Sequence, residues 1–128
     1  MQPSPTPQTL PDLAVSVVLH FSPLEQLQAL LDSISRAAVE AELSRVEVIC
    51  VDHSCDADYV ASCQAFIEAY GVQTVGDNGL QLSLLKPDAN RGYGAGHNLA
   101  MSQIESQFHL ILNPDLELAP DAFKLALD

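Results

Sequence analysis

Short apolar runs alternate with amphipathic stretches along the chain. Residues 14–19 (AVSVVL) are apolar and rich in β-branched side chains, the pattern of a strand buried on both faces. Order is expected to begin near Leu13. Next comes Ser22-Pro23-Leu24-Glu25, which reads as a capping box: Ser22 at the N-cap, Pro23 at the first helical position and Glu25 three residues after the cap. Leu24, Leu27, Leu30, Leu31, Ile34 and Ala38 then recur every three or four residues and define one apolar helix face.

The cycle repeats. Residues 46–51 (VEVICV) form a second buried run, and residues 52–56 (DHSCD) supply a loop and a cap. Tyr59, Val60, Cys63, Ile67 and Tyr70 line a second helix that is expected to stop at Gly71. A polar, glycine-punctuated stretch leads to a third strand at 80–85. The loop 86–96 (KPDANRGYGAG) precedes a helix at about 95–104, a fourth strand at 108–112 and a last helix at 121–127. Strand–helix alternation of this kind predicts an α/β fold: a Rossmann-like, three-layer α/β/α arrangement on a mainly parallel sheet. Residues 1–12, with Pro3, Pro5, Pro7 and Pro11 among Ser, Thr and Gln, read as a flexible tail. Residues 13–128 are then the folded part.

Charge narrows the partners. The 128 residues hold 17 acidic and 5 basic side chains, for a formal net charge of −12. Five scattered cations cannot make the basic stripe that a phosphate backbone requires, so nucleic acid is excluded. Hydrophobic residues make up 48% of the chain, which excludes intrinsic disorder. No run approaches the ~18 apolar residues of a membrane span, and no signal peptide is legible. The expected location is the cytoplasm or the inner face of the membrane. Cys50, Cys55 and Cys63 lack metal-site spacing and read as reduced, buried or half-buried thiols.

In an open parallel sheet, ligands bind beyond the carboxyl ends of the strands. Those ends carry His20-Phe21-Ser22, Asp52-His53-Ser54, Lys86 with the glycine loop, and Asn113-Pro114-Asp115. Four polar loops therefore converge on one edge. The first loop has no dinucleotide-type glycines, and no P-loop occurs anywhere. Gly92, Gly94 and Gly96 follow the third strand instead, just after Asn90 and Arg91. His20, His53, His97 and His109 have no ligand spacing and read as loop or surface residues.

The order Val51-Asp52-x-Ser54-x-Asp56, then Asn90-Arg-Gly-x-Gly-x-Gly-x-Asn98, then Leu112-Asn113-Pro-Asp115 resembles the family 2 glycosyltransferases. More narrowly, it is similar to their rhamnosyltransferase-like members, and the likeness covers roughly Val15 to Phe123. It implies the N-terminal, nucleotide-sugar-binding half of a GT-A fold, acting in inverting, metal-dependent sugar transfer for cell-surface polysaccharide synthesis. By position, Asp52 would hold the base or ribose of a dTDP- or UDP-linked donor, and Phe21 would stack on the base. Arg91, Gly92 and Gly94 would lie near the diphosphate or sugar, and Asn113 near the ribose or sugar. Asp115 matches the last acid of the family's D-x-D element and would coordinate Mg²⁺ or Mn²⁺. An anionic donor on a chain already at −12 gives such a cation a physical reason.

Each assignment has a structural competitor. The alternative roles are a turn cap for Asp52, the N-cap of the second helix for Asp56, a loop-fixing side chain for Asn98 and a turn acid for Asp115. No residue reads as the acceptor-activating base, which the resemblance places beyond Asp128. The glycan or lipid-linked acceptor would likewise belong to a longer protein, and this stretch alone would not turn over. A non-catalytic GT-A-like binding or assembly module is the alternative. The run 108–112, apolar yet at a sheet edge, is expected to pair with a second copy.

Overall fold

The computed structural model describes residues 13–43, 45–74, 80–87, 92–103, 106 and 108–126. The expected tail, Arg91, Ile104 and Leu127 lie outside the described residues. The elements run β1 (Leu13–Leu19), α1 (Leu24–Glu40), β2 (Val46–Asp52), α2 (Ala57–Thr74), β3 (Leu80–Leu85), α3 (Tyr93–Gln103), β4 (Phe108–Leu112) and α4 (Ala122–Ala126). All four strands are parallel, in the order β3-β2-β1-β4. The α/β, Rossmann-like expectation holds. No helix among the described residues is long and apolar enough to cross a membrane.

Every residue of β1 is buried. Because side chains alternate along a strand, β1 presents two different surfaces. Leu13, Val15, Val17 and Leu19 face the larger core with Leu27, Leu30, Leu31 and Ile34 of α1, Cys63 and Ile67 of α2, and Phe123 of α4. Ala14 and Val18 face a smaller core with Ile49, Val51 and Ala100 of α3. Large residues on one face and small ones on the other let α3 approach the sheet closely.

The register aligns the carboxyl ends. Leu19 pairs with Asp52, Val51 with Leu85, and Val17 with Leu112. The sequence order reverses at β1, with β2 on one side and β4 on the other, which defines a topological switch point. β4 forms an edge of the described sheet, with Phe108 and Ile111 exposed.

Three helix boundaries differ from expectation. Pro23, with ψ 133°, is extended and takes the N-cap position itself, and α1 has no side-chain cap. Its carbonyl accepts the first helical bonds from Gln26 and Leu27. The Ser22 hydroxyl is thereby displaced from the capping box and accepts instead from the His20 amide at 3.4 Å. Second, α2 continues through Gly71 to Thr74. Third, α3 starts at Tyr93 rather than near Ala95, so Gly94 and Gly96 belong to its first turns and not to a loop.

Gly96 is where α3 meets the sheet. A Cβ there would lie 2.8 Å from Cγ2 of Val18 and 2.9 Å from Cε1 of His53, whereas a Cβ at Gly94 meets nothing within 4 Å. Gly96→Ala is therefore expected to push α3 off the sheet and destabilise the fold by roughly 1–3 kcal/mol. Gly94→Ala gains helix propensity and is expected to be neutral or stabilising by up to about 1 kcal/mol. Urea midpoints of the two variants check this pair; equal midpoints would contradict it.

Candidate functional site

The first loop of the carboxyl edge is strained. Phe21 has φ 56°, a left-handed conformation that costs a non-glycine residue roughly 1–2 kcal/mol, yet its side chain stays 53% exposed. Its ring packs edge-on against His20 (centroids 5.1 Å apart, 79°) and tilted against Tyr59 (5.3 Å, 47°). The Tyr59 hydroxyl donates to the Ser22 carbonyl at 2.7 Å. An open aromatic side chain on constrained backbone is a surface suited to stacking.

The second loop is a relay of short-range bonds. Oδ1 of Asp52 accepts from the Ser54 amide at 2.8 Å, the Ser54 hydroxyl accepts from the Asp56 amide at 3.2 Å, and Oδ2 of Asp56 accepts from the Tyr59 amide at 2.9 Å. Asp56 is thus the α2 N-cap. Asp52 satisfies the turn-cap reading with one oxygen only. It is 1% exposed, and its Oδ2 is buried without a hydrogen-bond partner among the described residues. A buried carboxylate oxygen left in this way calls for a donor, because an unpaired buried acceptor is costly.

The third loop ends in Gly92, whose φ of 97° is a glycine conformation. Its carbonyl accepts from the Gly96 amide at 3.2 Å, which makes it the N-cap of α3. The first-turn amides of α3 therefore lie at the carboxyl edge, and open space beside Gly94 lets an anion approach the backbone. Asn98 lies exposed within α3 and so does not fix a loop.

At the fourth strand end, Leu116 N–H donates to the Asn113 carbonyl at 3.2 Å. Asn113, Pro114 and Asp115 are the first three residues of that turn, with Asn113 and Asp115 exposed. Downstream, the buried Ser33 hydroxyl of α1 donates to the Leu30 carbonyl (2.7 Å) and accepts from the Leu118 amide (3.0 Å), anchoring the exit segment. Asp115 offers a hard carboxylate oxygen, a donor that suits Mg²⁺ or Mn²⁺. Among the described residues no three His, Cys, Asp or Glu side chains group around a metal position. The residues present fit a cation shared with a ligand's own oxygens rather than a self-sufficient cage.

The histidines differ most from the sequence reading. His53 and His97 are buried, and His109 is half-buried on β4. Nδ1 of His97 and the hydroxyl of Ser16 in β1 share a 2.6 Å hydrogen bond. Burial holds the His97 imidazole below its ordinary pKa, and His109 and His53 push it further the same way. Burial also lowers that of His109. The signal that points to this pair is Ser16 itself, since a hydroxyl in a strand buried on both faces needs a partner. Of the thiols, Cys50 and Cys63 are buried, with Cys50 pushed up to about 12 by its burial, whereas Cys55 is exposed, against expectation.

Fold and edge together define a class: the chain has the GT-A-like, Rossmann-type fold of glycosyltransferases. Particular solved structures carry that statement. S. aureus TarS 1–349 matches at 25% identity and TM-score 0.65, over 91% of this chain and 31% of that one. The same TarS segment in complex with UDP matches at 24% identity and TM-score 0.66, again over 91% and 31%. The mannosyltransferase PcManGT from Pyrobaculum calidifontis, in complex with GDP-Man and Mn²⁺, matches at 22% identity and TM-score 0.64, over 96% and 32%. This chain therefore spans about a third of the length of these structures. No protein-family profile and no curated protein matches it.

The lowered imidazole pKa values set a pH dependence. Their folded-state pKa lies below the ordinary imidazole value of 6.5, so the unfolded chain binds more protons in between. The stabilisation they provide is present above 6.5 and is lost as pH falls through the folded pKa. The urea midpoint is expected to drop between pH 7.5 and 5.5, with a shallower drop in His97→Gln. A constant or rising midpoint over that window would contradict the lowered pKa of His97 and His109.

Proposed function

We propose that the chain is the donor-binding part of a family 2 glycosyltransferase with an inverting, metal-dependent mechanism, acting in cell-surface polysaccharide synthesis. The observation that carries the reading is the buried Oδ2 of Asp52, without a partner among the described residues, on the strand end that pairs with Leu19, two residues before the open ring of Phe21. The carboxylate accepts a hydrogen bond from the base or ribose of a nucleotide sugar, and Phe21 stacks on the base. Arg91, Gly92 and Gly94 contact the diphosphate or sugar: the guanidinium by charge, the glycines because their backbone lets an anion come close. Asn113 contacts the ribose or sugar.

Asp115 holds a divalent cation together with diphosphate oxygens. Such a cation, when bound, neutralises charge on the leaving diphosphate. With 17 acidic side chains against 5 basic ones, the chain has few cations of its own to do so. TarS solved with UDP and PcManGT solved with GDP-Man and Mn²⁺ support a nucleotide-sugar ligand and a divalent metal. We further propose a dTDP- or UDP-linked hexosyl or rhamnosyl donor. In this reading the acceptor, a glycan or lipid-linked sugar, and the base that deprotonates it are met outside these residues, and β4 pairs with a second copy through its exposed Phe108 and Ile111.

Titration calorimetry with UDP and dTDP, with and without Mn²⁺, tests this. Binding by the folded wild-type chain is expected for at least one nucleotide, strengthened by Mn²⁺. Asp52→Asn is expected to weaken it on the order of tenfold, the scale of one charge-assisted hydrogen bond. Asp115→Ala is expected to abolish the Mn²⁺ effect while leaving the circular dichroism spectrum unchanged. Failure of the folded wild type to bind either nucleotide at millimolar concentration would overturn the reading and favour a GT-A-like binding or assembly module.

A further inference from the structure

Tyr59 lies on α2, outside every motif considered above, yet it touches the strained loop at two points. Its ring packs on Phe21, and its hydroxyl donates to the Ser22 carbonyl at 2.7 Å. Tyr59 is itself held. Its amide donates to Oδ2 of Asp56 at 2.9 Å, which fixes it in the first turn of α2. The phenol has a single proton, which the Ser22 carbonyl takes.

These two contacts account for a conformation that nothing local favours. Phe21 is neither glycine nor asparagine, it sits at φ 56°, and about half of its side chain is open. Left alone, the loop would relax out of the left-handed region. Its neighbour His20 is exposed and contributes only an edge-on ring contact, with a long 3.4 Å bond from its amide to the Ser22 hydroxyl. The strongest restraint on the loop is therefore the Tyr59 phenol.

We propose that Tyr59 is a positioning residue for nucleobase recognition: it locks the Phe21 ring in place as the surface on which the base of a nucleoside diphosphate stacks. This rests on the donor-site reading above. Tyr59 reaches the ligand through Phe21, not directly. The effect is preorganisation, since a ring already fixed loses less freedom when a base lands on it. It follows that Tyr59 affects binding of the base and not of the diphosphate.

Calorimetry with UDP and with inorganic pyrophosphate, each with Mn²⁺, separates these. Tyr59→Phe keeps the ring and removes only the phenol bond. It is expected to weaken UDP about three- to tenfold and to leave pyrophosphate unchanged. In a Phe21→Leu background the same change is expected to have no further effect, because the surface it positions is gone. Equal loss for both ligands would mean general damage and overturn the proposal, as would unchanged UDP affinity or additivity with Phe21→Leu. A second readout needs no ligand. The chain has no Trp, so Phe21→Trp introduces a single Trp, which is excited selectively at wavelengths where the three Tyr do not absorb. Acrylamide quenching of that Trp is expected to rise when Tyr59→Phe is added; identical quenching would overturn the positioning role even if nucleotide binds. A wild type that binds pyrophosphate but no nucleotide overturns the proposal and leaves an anion site standing. A wild type that binds neither removes the donor-site reading itself.

Discussion

The division of β1 into a large-residue face and a small-residue face governs the rest of the structure. Leu13, Val15, Val17 and Leu19 fill one side against α1 and α2, while Ala14, Ser16 and Val18 leave shallow ground on the other. Burying the large side chains supplies the main driving force, at about 1.5–3 kcal/mol for each fully buried Val or Leu. The shallow side lets α3 settle close enough for Gly96 to lie against His53 and Val18, and for His97 to bond Ser16. That seat carries the amino end of α3 to the edge where Phe21, Asp52 and Asp115 emerge.

The edge combines two kinds of group that folding alone does not favour. Phe21 occupies a left-handed conformation with half of its surface open, and Asp52 keeps a buried oxygen unpaired among the described residues. Each costs stability, and both stand on adjacent, hydrogen-bonded strand ends, where Leu19 pairs with Asp52. Strain and an unsatisfied acceptor side by side are what a preorganised binding surface requires. TarS and PcManGT share this fold, while the roles proposed for single residues follow the resemblance to family 2 glycosyltransferases, with local chemistry supporting those of Phe21 and Asp52.

The parts legible in the sequence were those set by periodicity. Apolar runs at 46–51, 80–85 and 108–112 form strands, and the spacing of Leu27, Leu30, Leu31 and Ile34 defines the buried face of α1. Asp56, read as a helix cap, is one. The misreadings came from tertiary contacts that outweigh local preference. Ser22-Pro23 has the composition of a capping box, yet the Ser22 carbonyl is bound by Tyr59 and Pro23 takes the cap position. Glycines at 94 and 96 suggested a loop, but close packing on the sheet favours a helix with a side-chain-free residue there. His53 and His97 looked like surface residues because nothing nearby in sequence shows what covers them. The spacing of Tyr59 marks it only as helix lining, and its hold on the first loop emerges in three dimensions.

The central claim is that the carboxyl edge of the sheet binds a nucleotide. A heteronuclear NMR titration of the folded chain with UDP and Mg²⁺, a diamagnetic cation, tests it most directly. The account predicts amide shift changes clustered at residues 20–22, 52–56, 92–96 and 113–116, with α1 beyond its first turn and α4 unmoved. Shift changes confined to the opposite edge, around residues 40–46, or none at all at saturating nucleotide, would contradict it.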